Sequence, residues 1–185
     1  MEKIIKLNPK NSSNGKSVGF TCSCFDLLHA GHILMLKDAK EQCDKLIVGL
    51  QTDPTLDRPE KNKPIQSYEE RLIQLEAVKY IDDVIKYETE EELYQLLKMI
   101  MPDIRILGSD YEDGRYFTGV ELKIPIYYHK RDHNYSSSNL RKKIIEKAWL
   151  TLQKGCILRY VSEHICKTYK DKFRSSLMGW QDRLF

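Results

Sequence analysis

The chain has 185 residues and carries 30 Lys and Arg against 27 Asp and Glu, a formal net charge of +3. Its length suits one domain with an appendage, and 41% hydrophobic with 31% charged residues excludes a disordered chain. No apolar run approaches the roughly 20 residues of a membrane span, and a surplus of +3 is too small to predict a nucleic-acid partner. The five cysteines and the lack of an apolar stretch near Met1 predict reduced thiols in a cytoplasmic protein.

Hydrophobic periodicity predicts strands that alternate with helices along most of the chain. A flexible lead-in over residues 1–17, rich in turn formers, precedes them. The predicted elements are, in order, strand Val18–Cys22, helix His29–Cys43, strand Lys45–Leu50, helix Ser67–Tyr80, strand Asp83–Tyr87, a helix that opens at Thr89 and extends to Ile100, strand Ile104–Leu107, strand Ile124–Tyr128 and helix Ser138–Trp149. Residues 52–64 contain three prolines and are predicted to be a loop. Residues 89–92 have the spacing of a capping box.

This alternation predicts an α/β fold with βαβ units and a mostly parallel sheet. Pro125 places the last strand at an edge of that sheet. The predicted domain covers residues 1–145, and residues 146–185 form a C-terminal helical extension. Ligands of such sheets bind outside the carboxyl ends of the strands, so we expect the site in the strand-to-helix turns.

The turn after the first strand places His29, Gly31 and His32 where a helix begins. Free N–H groups at a helix start attract an anion, and a glycine there lets a phosphate approach the backbone. The two imidazoles add donors for a phosphorus that becomes five-coordinate, which is the stabilisation that phosphoryl transfer needs. Two other interpretations stay open: the histidines are structural, or they form a zinc site with Cys22 and Cys24.

Residues 25–32, Phe-Asp-Leu-Leu-His-Ala-Gly-His, resemble the signature of the HxGH nucleotidyltransferase superfamily. Residues 131–138, Arg-Asp-His-Asn-Tyr-Ser-Ser-Ser, resemble the arginine and Ile-Ser-Thr-Thr segment of bacterial cytidylyltransferases. The resemblance extends over residues 18–145 and is greatest to the bacterial glycerol-3-phosphate cytidylyltransferase-like family. Sugar-phosphate adenylyltransferases are also similar. The resemblance implies that the sheet is Rossmann-like and doubly wound.

The resemblance also implies that three groups of side chains contact a nucleoside triphosphate. His29 and His32 stabilise the transition state, and Arg131 binds the β- and γ-phosphates with the serines that follow it. Lysines of the proline-rich loop neutralise charge near the α-phosphate. The serines and lysines concerned are Ser136, Ser137, Ser138, Lys61 and Lys63. From the residues alone, the serines are also a helix cap, and either lysine is also a solvated loop residue.

Other positions are implied to line the nucleotide pocket or to contact substrate. The nucleotide-binding positions of the first turn are Cys24, Phe25, Asp26 and Gly31. Asp110, at the end of a strand, matches an acidic residue that lines the pocket, and Arg71 matches an arginine that contacts substrate or phosphate. From the residues alone, Arg71 is equally a surface partner in an i,i+4 ion pair. Cys24 stands where the family has threonine, and a thiol is the weaker hydrogen-bond donor.

The implied activity is transfer of CMP from CTP to a phosphorylated small alcohol or sugar, with release of pyrophosphate. We expect Mg²⁺ to accompany the triphosphate, no metal ligands from the protein, and a homodimer. Two alternatives stay open. One is adenylyl transfer from ATP to a sugar phosphate, and the other is a non-catalytic nucleotide-binding or zinc-binding module.

The positive charge of the chain belongs to the extension, which resembles no family that we recognise. Residues 146–185 carry eight Lys and Arg against four Asp and Glu, whereas residues 1–145 carry 22 against 23. Within residues 157–165, apolar side chains recur at helical spacing. This stripe predicts core packing or dimerisation, with binding to an anionic membrane surface as the alternative.

Overall fold

The computed structural model describes residues 16–114 and 116–154. In this part of the chain the elements are, in order, β1 (Val18–Ser23), α1 (Ala30–Glu41), β2 (Lys45–Gln51), α2 (Tyr68–Glu76), β3 (Asp83–Tyr87), α3 (Glu90–Ile100), β4 (Ile104–Gly108), β5 (Ile126–His129) and α4 (Ser137–Lys154). Most of the predicted lead-in and the apolar stripe of residues 157–165 lie outside the described residues.

The five strands form one sheet in the order β3-β2-β1-β4-β5, and every pair of neighbours is parallel. The strand order reverses between β1 and β4, so the carboxyl ends of these two strands border the crevice where such sheets bind ligands. The predicted Rossmann-like, doubly wound α/β sheet is therefore confirmed. β5 lies at an edge, as Pro125 indicates.

Helices cover both faces of the sheet and bury its apolar side chains. On one face, Leu36 of α1 and Leu75 of α2 pack with Val48 in the first core cluster. On the other face, Leu93 and Leu97 of α3 pack in a second cluster. β2 is buried on both faces from Leu46 to Gln51, which explains its continuous apolar sequence. Each such Leu or Val stabilises the fold by roughly 1.5–3 kcal/mol.

Most predicted bounds lie within two residues of the observed ones, and two helix ends do not. α2 ends at Glu76 rather than Tyr80, because turns at Val78 and Ile81 direct the chain toward β3. The Asp82 carboxylate fixes that approach by accepting from the backbone N of Leu46 at 2.7 Å. α4 continues beyond Trp149 to Lys154, since residues 137–154 contain no glycine or proline.

Side chains cap the starts of α2 and α3. Ser67 Oγ accepts from Glu70 N, and Glu70 Oε2 accepts from Ser67 N, which is a complete capping box. At α3 Thr89 Oγ1 accepts from Glu92 N, but the Glu92 carboxylate accepts from the preceding residue, Glu88. The capping box predicted at residues 89–92 is therefore only half formed.

The chain divides into two compact units, Met1–Ser137 and Ser138–Phe185. The division predicted after residue 145 stays a prediction, because most of the second unit lies outside the described residues. Neither α4 nor any other helix in the described ranges has the length and apolarity that crossing a membrane requires.

Candidate active site

The turn between β1 and α1 has a strained backbone. Phe25 and Leu27 have positive φ angles of 47° and 52°, which residues with a side chain rarely adopt. The Phe25 ring is buried, and the Leu27 N–H donates to Gln66 Oε1 at 2.8 Å, so both residues are held in place. Such conformations persist only where the surroundings fix them, and they cluster at functional sites.

The Asp26 carboxylate joins this turn to the end of the proline-rich loop. Asp26 is 3% exposed, and its Oδ1 accepts from the backbone N of Ile65 and of Gln66, both at 3.0 Å. Through these two hydrogen bonds Asp26 stabilises the conformation of the turn. Its contact with a nucleotide, which the resemblance implies, stays a prediction.

His29 connects the two sequence motifs. Its Nδ1 accepts from Gly31 N at 3.1 Å, which makes His29 the N-cap of α1. Because Nδ1 accepts, the ring proton lies on Nε2, which is 3.3 Å from Ser137 Oγ. Ser137 Oγ in turn donates to the Asp26 carbonyl at 3.2 Å. A residue of the first motif and a residue of the second, 108 positions apart, therefore share a hydrogen bond.

His32 stacks on His29, with ring centroids 3.9 Å apart, and meets the edge of Phe25. Burial, together with the nearby His29 and Arg131 and against the opposing effect of Asp26, lowers the pKa of His32 to about 3. Burial, with His133 and Arg131, also lowers the pKa of His29. Both rings are therefore neutral near pH 7. Within residues 16–114 and 116–154, the buried Nδ1 atom of His32 has no hydrogen-bond partner, so it is available to a ligand.

Because His32 is neutral in the fold, we expect the free energy of unfolding to decrease at acid pH. Its pKa lies near 3 in the fold and near 6.5 in the unfolded chain, so the unfolded chain binds more protons between these pH values. Stability is therefore lost as the pH falls below 6.5, by about 2 kcal/mol between pH 7 and pH 5. In urea unfolding at both pH values, we expect His32→Gln to lose about 2 kcal/mol less than the wild type. Equal losses would contradict a buried, neutral His32.

Arg131 and Asp110 meet at the carboxyl end of β4. Arg131 Nη2 lies 3.5 Å from Asp110 Oδ1. A β-carbon on Gly108 would overlap the Asp110 carboxylate and lie 3.2 Å from Arg131 Nη2, so any larger residue there would displace this pair. The two charged residues that the sequence analysis assigned to the site therefore lie at one strand end.

The remaining predicted phosphate ligands lie at the start of α4 and in the proline-rich loop. α4 begins at Ser137, so Ser137 and Ser138 are its first two residues rather than its cap, and Ser136 precedes it. Lys61 is exposed, and Lys63, with 80% of its side chain exposed, lies 3.8 Å from the Asp53 carboxylate. Their roles toward a nucleotide stay predictions.

Arg71 has a structural task that the sequence analysis missed. It is 2% exposed, and four of its five N–H groups donate to main-chain carbonyls. The acceptors are Cys24 and Gln51 at 2.7 Å, Thr52 at 2.6 Å and Ser67 at 3.2 Å. The prediction of a surface ion pair is therefore wrong, whereas a contact between Arg71 and substrate stays a prediction.

Two histidines that the sequence analysis did not single out stand beside the predicted residues. His129, at the end of β5, is 7% exposed, and its Nδ1 lies 2.6 Å from Asp38 Oδ2. Tyr127 donates to the other carboxylate oxygen of Asp38 at 3.0 Å. The ring of His133 lies 6.4 Å from that of His129 and reaches Gly31. The sequence did contain a signal for His133, because this residue lies between Arg131 and the serines of the second motif.

The described residues do not support the zinc interpretation. Nowhere in residues 16–114 and 116–154 do three His, Cys, Asp or Glu side chains lie where they could hold a metal ion. Cys22 and Cys24 therefore do not form a metal centre with His29 and His32.

The parallel doubly wound sheet carries a neutral histidine pair and an arginine at its carboxyl edge, as expected of a Rossmann-like nucleotidyltransferase domain. The model of a family described as cytidylyltransferase-like matches residues 20–143. The chain therefore belongs to the cytidylyltransferase-like family and is a nucleotidyltransferase.

Individual relatives agree with this family. The chain is 34% identical over 146 residues to the bifunctional protein HldE of Aliarcobacter butzleri, and 36% identical over 144 residues to that of Wolinella succinogenes. These matches cover 78% and 77% of this chain but 30% of each relative, so the chain spans about a third of their length. The crystal structure of a lipopolysaccharide core biosynthesis protein from Thermoplasma volcanium is similar at 30% identity and a TM-score of 0.51, covering 66% of this chain and all of that one.

Proposed function

We propose that this chain transfers a nucleotidyl group to the phosphate of a small sugar or polyol, with CTP as the donor and ATP as the alternative donor. The observation that carries this proposal is the hydrogen bond between His29 and Ser137, which joins the two motifs. Arg131 and the stacked His32 complete a set of anion ligands at one edge of the sheet.

In this reaction an oxygen of the acceptor phosphate attacks the α-phosphorus of the triphosphate. A phosphorus–oxygen bond forms on one side while the bond to the bridging oxygen of the β-phosphate breaks, and pyrophosphate leaves with that electron pair. No side chain has to act as a base, because a phosphate monoester is mostly ionised at pH 7. His29 and His32 donate hydrogen bonds to the oxygens of the five-coordinate phosphorus, and Arg131 and the serines hold the pyrophosphate.

Three further features of the proposal follow from the sequence analysis. Lys61 or Lys63 neutralises charge on the triphosphate, and Mg²⁺ enters with the nucleotide as part of the substrate. The enzyme is a cytoplasmic homodimer. The family description favours CTP, and the similarity to a lipopolysaccharide core biosynthesis protein favours a phosphorylated sugar as acceptor.

Pyrophosphate release tests the proposal. CTP and ATP are each incubated with glycerol 3-phosphate and with a panel of sugar 1-phosphates, and the same sugars without phosphate serve as matched controls. We expect release that needs both a nucleotide and an acceptor phosphate. Release that is absent with every acceptor, or that also occurs with the unphosphorylated sugars, would overturn the proposal.

Removing the Arg131 guanidinium is expected to weaken triphosphate binding. A charge-assisted hydrogen bond contributes about 1.5–3 kcal/mol, so Arg131→Ala should raise the Kd for CTP about 10- to 150-fold. Calorimetric titration measures this constant. Lys130→Ala removes an exposed cation from the adjacent position and should change the Kd much less. An unchanged Kd for Arg131→Ala would show that Arg131 does not bind the nucleotide.

A further inference from the structure

His133 lies over the glycine of the first motif. A β-carbon built on Gly31 would lie 2.9 Å from His133 Cε1, 2.9 Å from the Tyr135 carbonyl and 3.0 Å from His29 Cε1. The rings of His133 and His29 therefore converge on one point above the start of α1. The absence of a side chain at Gly31 makes room for residues 133–135, in addition to any role in admitting a phosphate.

The hydrogen bonds of His133 fix the position of its proton. The backbone N of Tyr135 donates to His133 Nδ1 at 3.3 Å, so the neutral ring carries its hydrogen on Nε2. His29 is arranged in the same way, since Gly31 N donates to its Nδ1. In both cases the donor is the amide two residues further along the chain. Two neighbouring imidazoles are thus set as Nε2–H donors by their own backbone.

The two donors differ in what they meet. His29 Nε2 points to Ser137 Oγ at 3.3 Å. His133 Nε2 is buried and has no hydrogen-bond partner in the described part of the chain. A buried donor without an acceptor destabilises a fold, so its retention indicates a partner that arrives from outside. In each ring Nε2 is bonded to the Cε1 atom that faces the point above Gly31.

The surroundings indicate that this partner is an anion. His133 and the Arg131 guanidinium both lie near His29, and after burial they are the next causes that lower the pKa of His29. Asp110, the acidic residue near Arg131, already lies 3.5 Å from that guanidinium. A phosphate oxygen accepts hydrogen bonds without donating any, which suits a site whose free group is an N–H.

We propose that His133 is a third histidine of the active site and donates its Nε2–H to a phosphate oxygen of the nucleotide. This assignment rests on the proposed function, because the ligand is the triphosphate or the pyrophosphate that leaves. His133 lies between Arg131 and the serines, so it adds an N–H donor to the segment that holds the departing group.

Nuclear magnetic resonance of the full chain with ¹⁵N-labelled histidine tests the contact directly. Two-bond proton–nitrogen spectra show which ring nitrogen carries hydrogen, and His133→Gln assigns the signals of this ring by their loss. We expect His133 as the Nε2–H tautomer, with an Nε2 signal that moves when inorganic pyrophosphate is added. If the His29 signals move and those of His133 do not, this inference is wrong and the proposed function stands. If pyrophosphate moves neither ring, the phosphate site itself is refuted.

Binding of pyrophosphate and CTP to variants tests the donor. We expect His133→Ala to raise both dissociation constants about tenfold or more, the effect of one hydrogen bond to a charged group. Glutamine carries an amide N–H near the position of Nε2, so His133→Gln should restore most of the affinity. Asp132→Asn, at the exposed neighbouring position, should stay within about twofold of the wild type. Wild-type affinity in His133→Ala, or no recovery in His133→Gln, would overturn the donor role.

Discussion

Replacing His29 or His32 with alanine is expected to lower kcat by roughly 10²–10³, the effect of removing one donor from a developing transition-state charge. Each ring is neutral near pH 7, so its contribution is a fixed dipole rather than a positive charge. The rings stack at 3.9 Å, and removal of either also leaves the other less well held. Loss of both should therefore cost less than the product of the single losses.

Steady-state release of pyrophosphate, with an acceptor taken from the panel described above, measures this effect. Calorimetric titration with CTP separates it from binding, because a donor used only in the transition state changes kcat more than Kd. Leu34→Ala, at an exposed position of the same helix α1, is the matched control and should turn over as the wild type does. Near-normal kcat in either histidine variant would refute its catalytic role.

Replacing Arg71 with methionine is expected to destabilise the fold by about 3–5 kcal/mol, because main-chain carbonyls that the guanidinium satisfies are left buried without donors. Methionine keeps a long unbranched stem, so most of the packing is preserved. Arg71→Lys should be intermediate, since one ammonium cannot reach carbonyls on three segments of the chain.

Urea unfolding at pH 7 measures the free energy of unfolding of the wild type, Arg71→Met and Arg71→Lys. Lys79→Met removes an exposed cation just beyond the same helix and should change the free energy of unfolding by no more than about 0.5 kcal/mol. A loss below about 1 kcal/mol in Arg71→Met would show that water replaces the guanidinium and that these hydrogen bonds contribute little to stability.

The fold could be predicted from the sequence because local pattern and global arrangement agree. The continuous apolar run of β2 marks a strand buried on both faces, and Pro125 marks the edge strand. The end of α2 could not be found in this way. It depends on where Asp82 meets Leu46 N, a contact between residues 36 positions apart, and no local periodicity reports such a contact.

In the candidate site, too, some residues could be predicted from the sequence and others could not. His29, His32 and Arg131 lie in motifs that a reader of the sequence can find. The place of His129 depends on the parallel register that sets it opposite Gly108, which only the assembled sheet determines. Arg71 did carry a local signal, because it lies four residues before the buried Leu75 on the apolar side of α2.

Two buried charges, Asp26 and Arg71, hold the proline-rich loop at its opposite ends. Asp26 accepts from residues 65 and 66, where the loop ends, and Arg71 donates to the carbonyls of residues 51 and 52, where it starts. Both ends of the loop are therefore fixed, and the entropy cost of bringing them together is part of the folding free energy. Lys61 and Lys63 therefore explore a smaller volume than residues of a loop with free ends, which reduces the entropy that either lysine would lose on binding an anion.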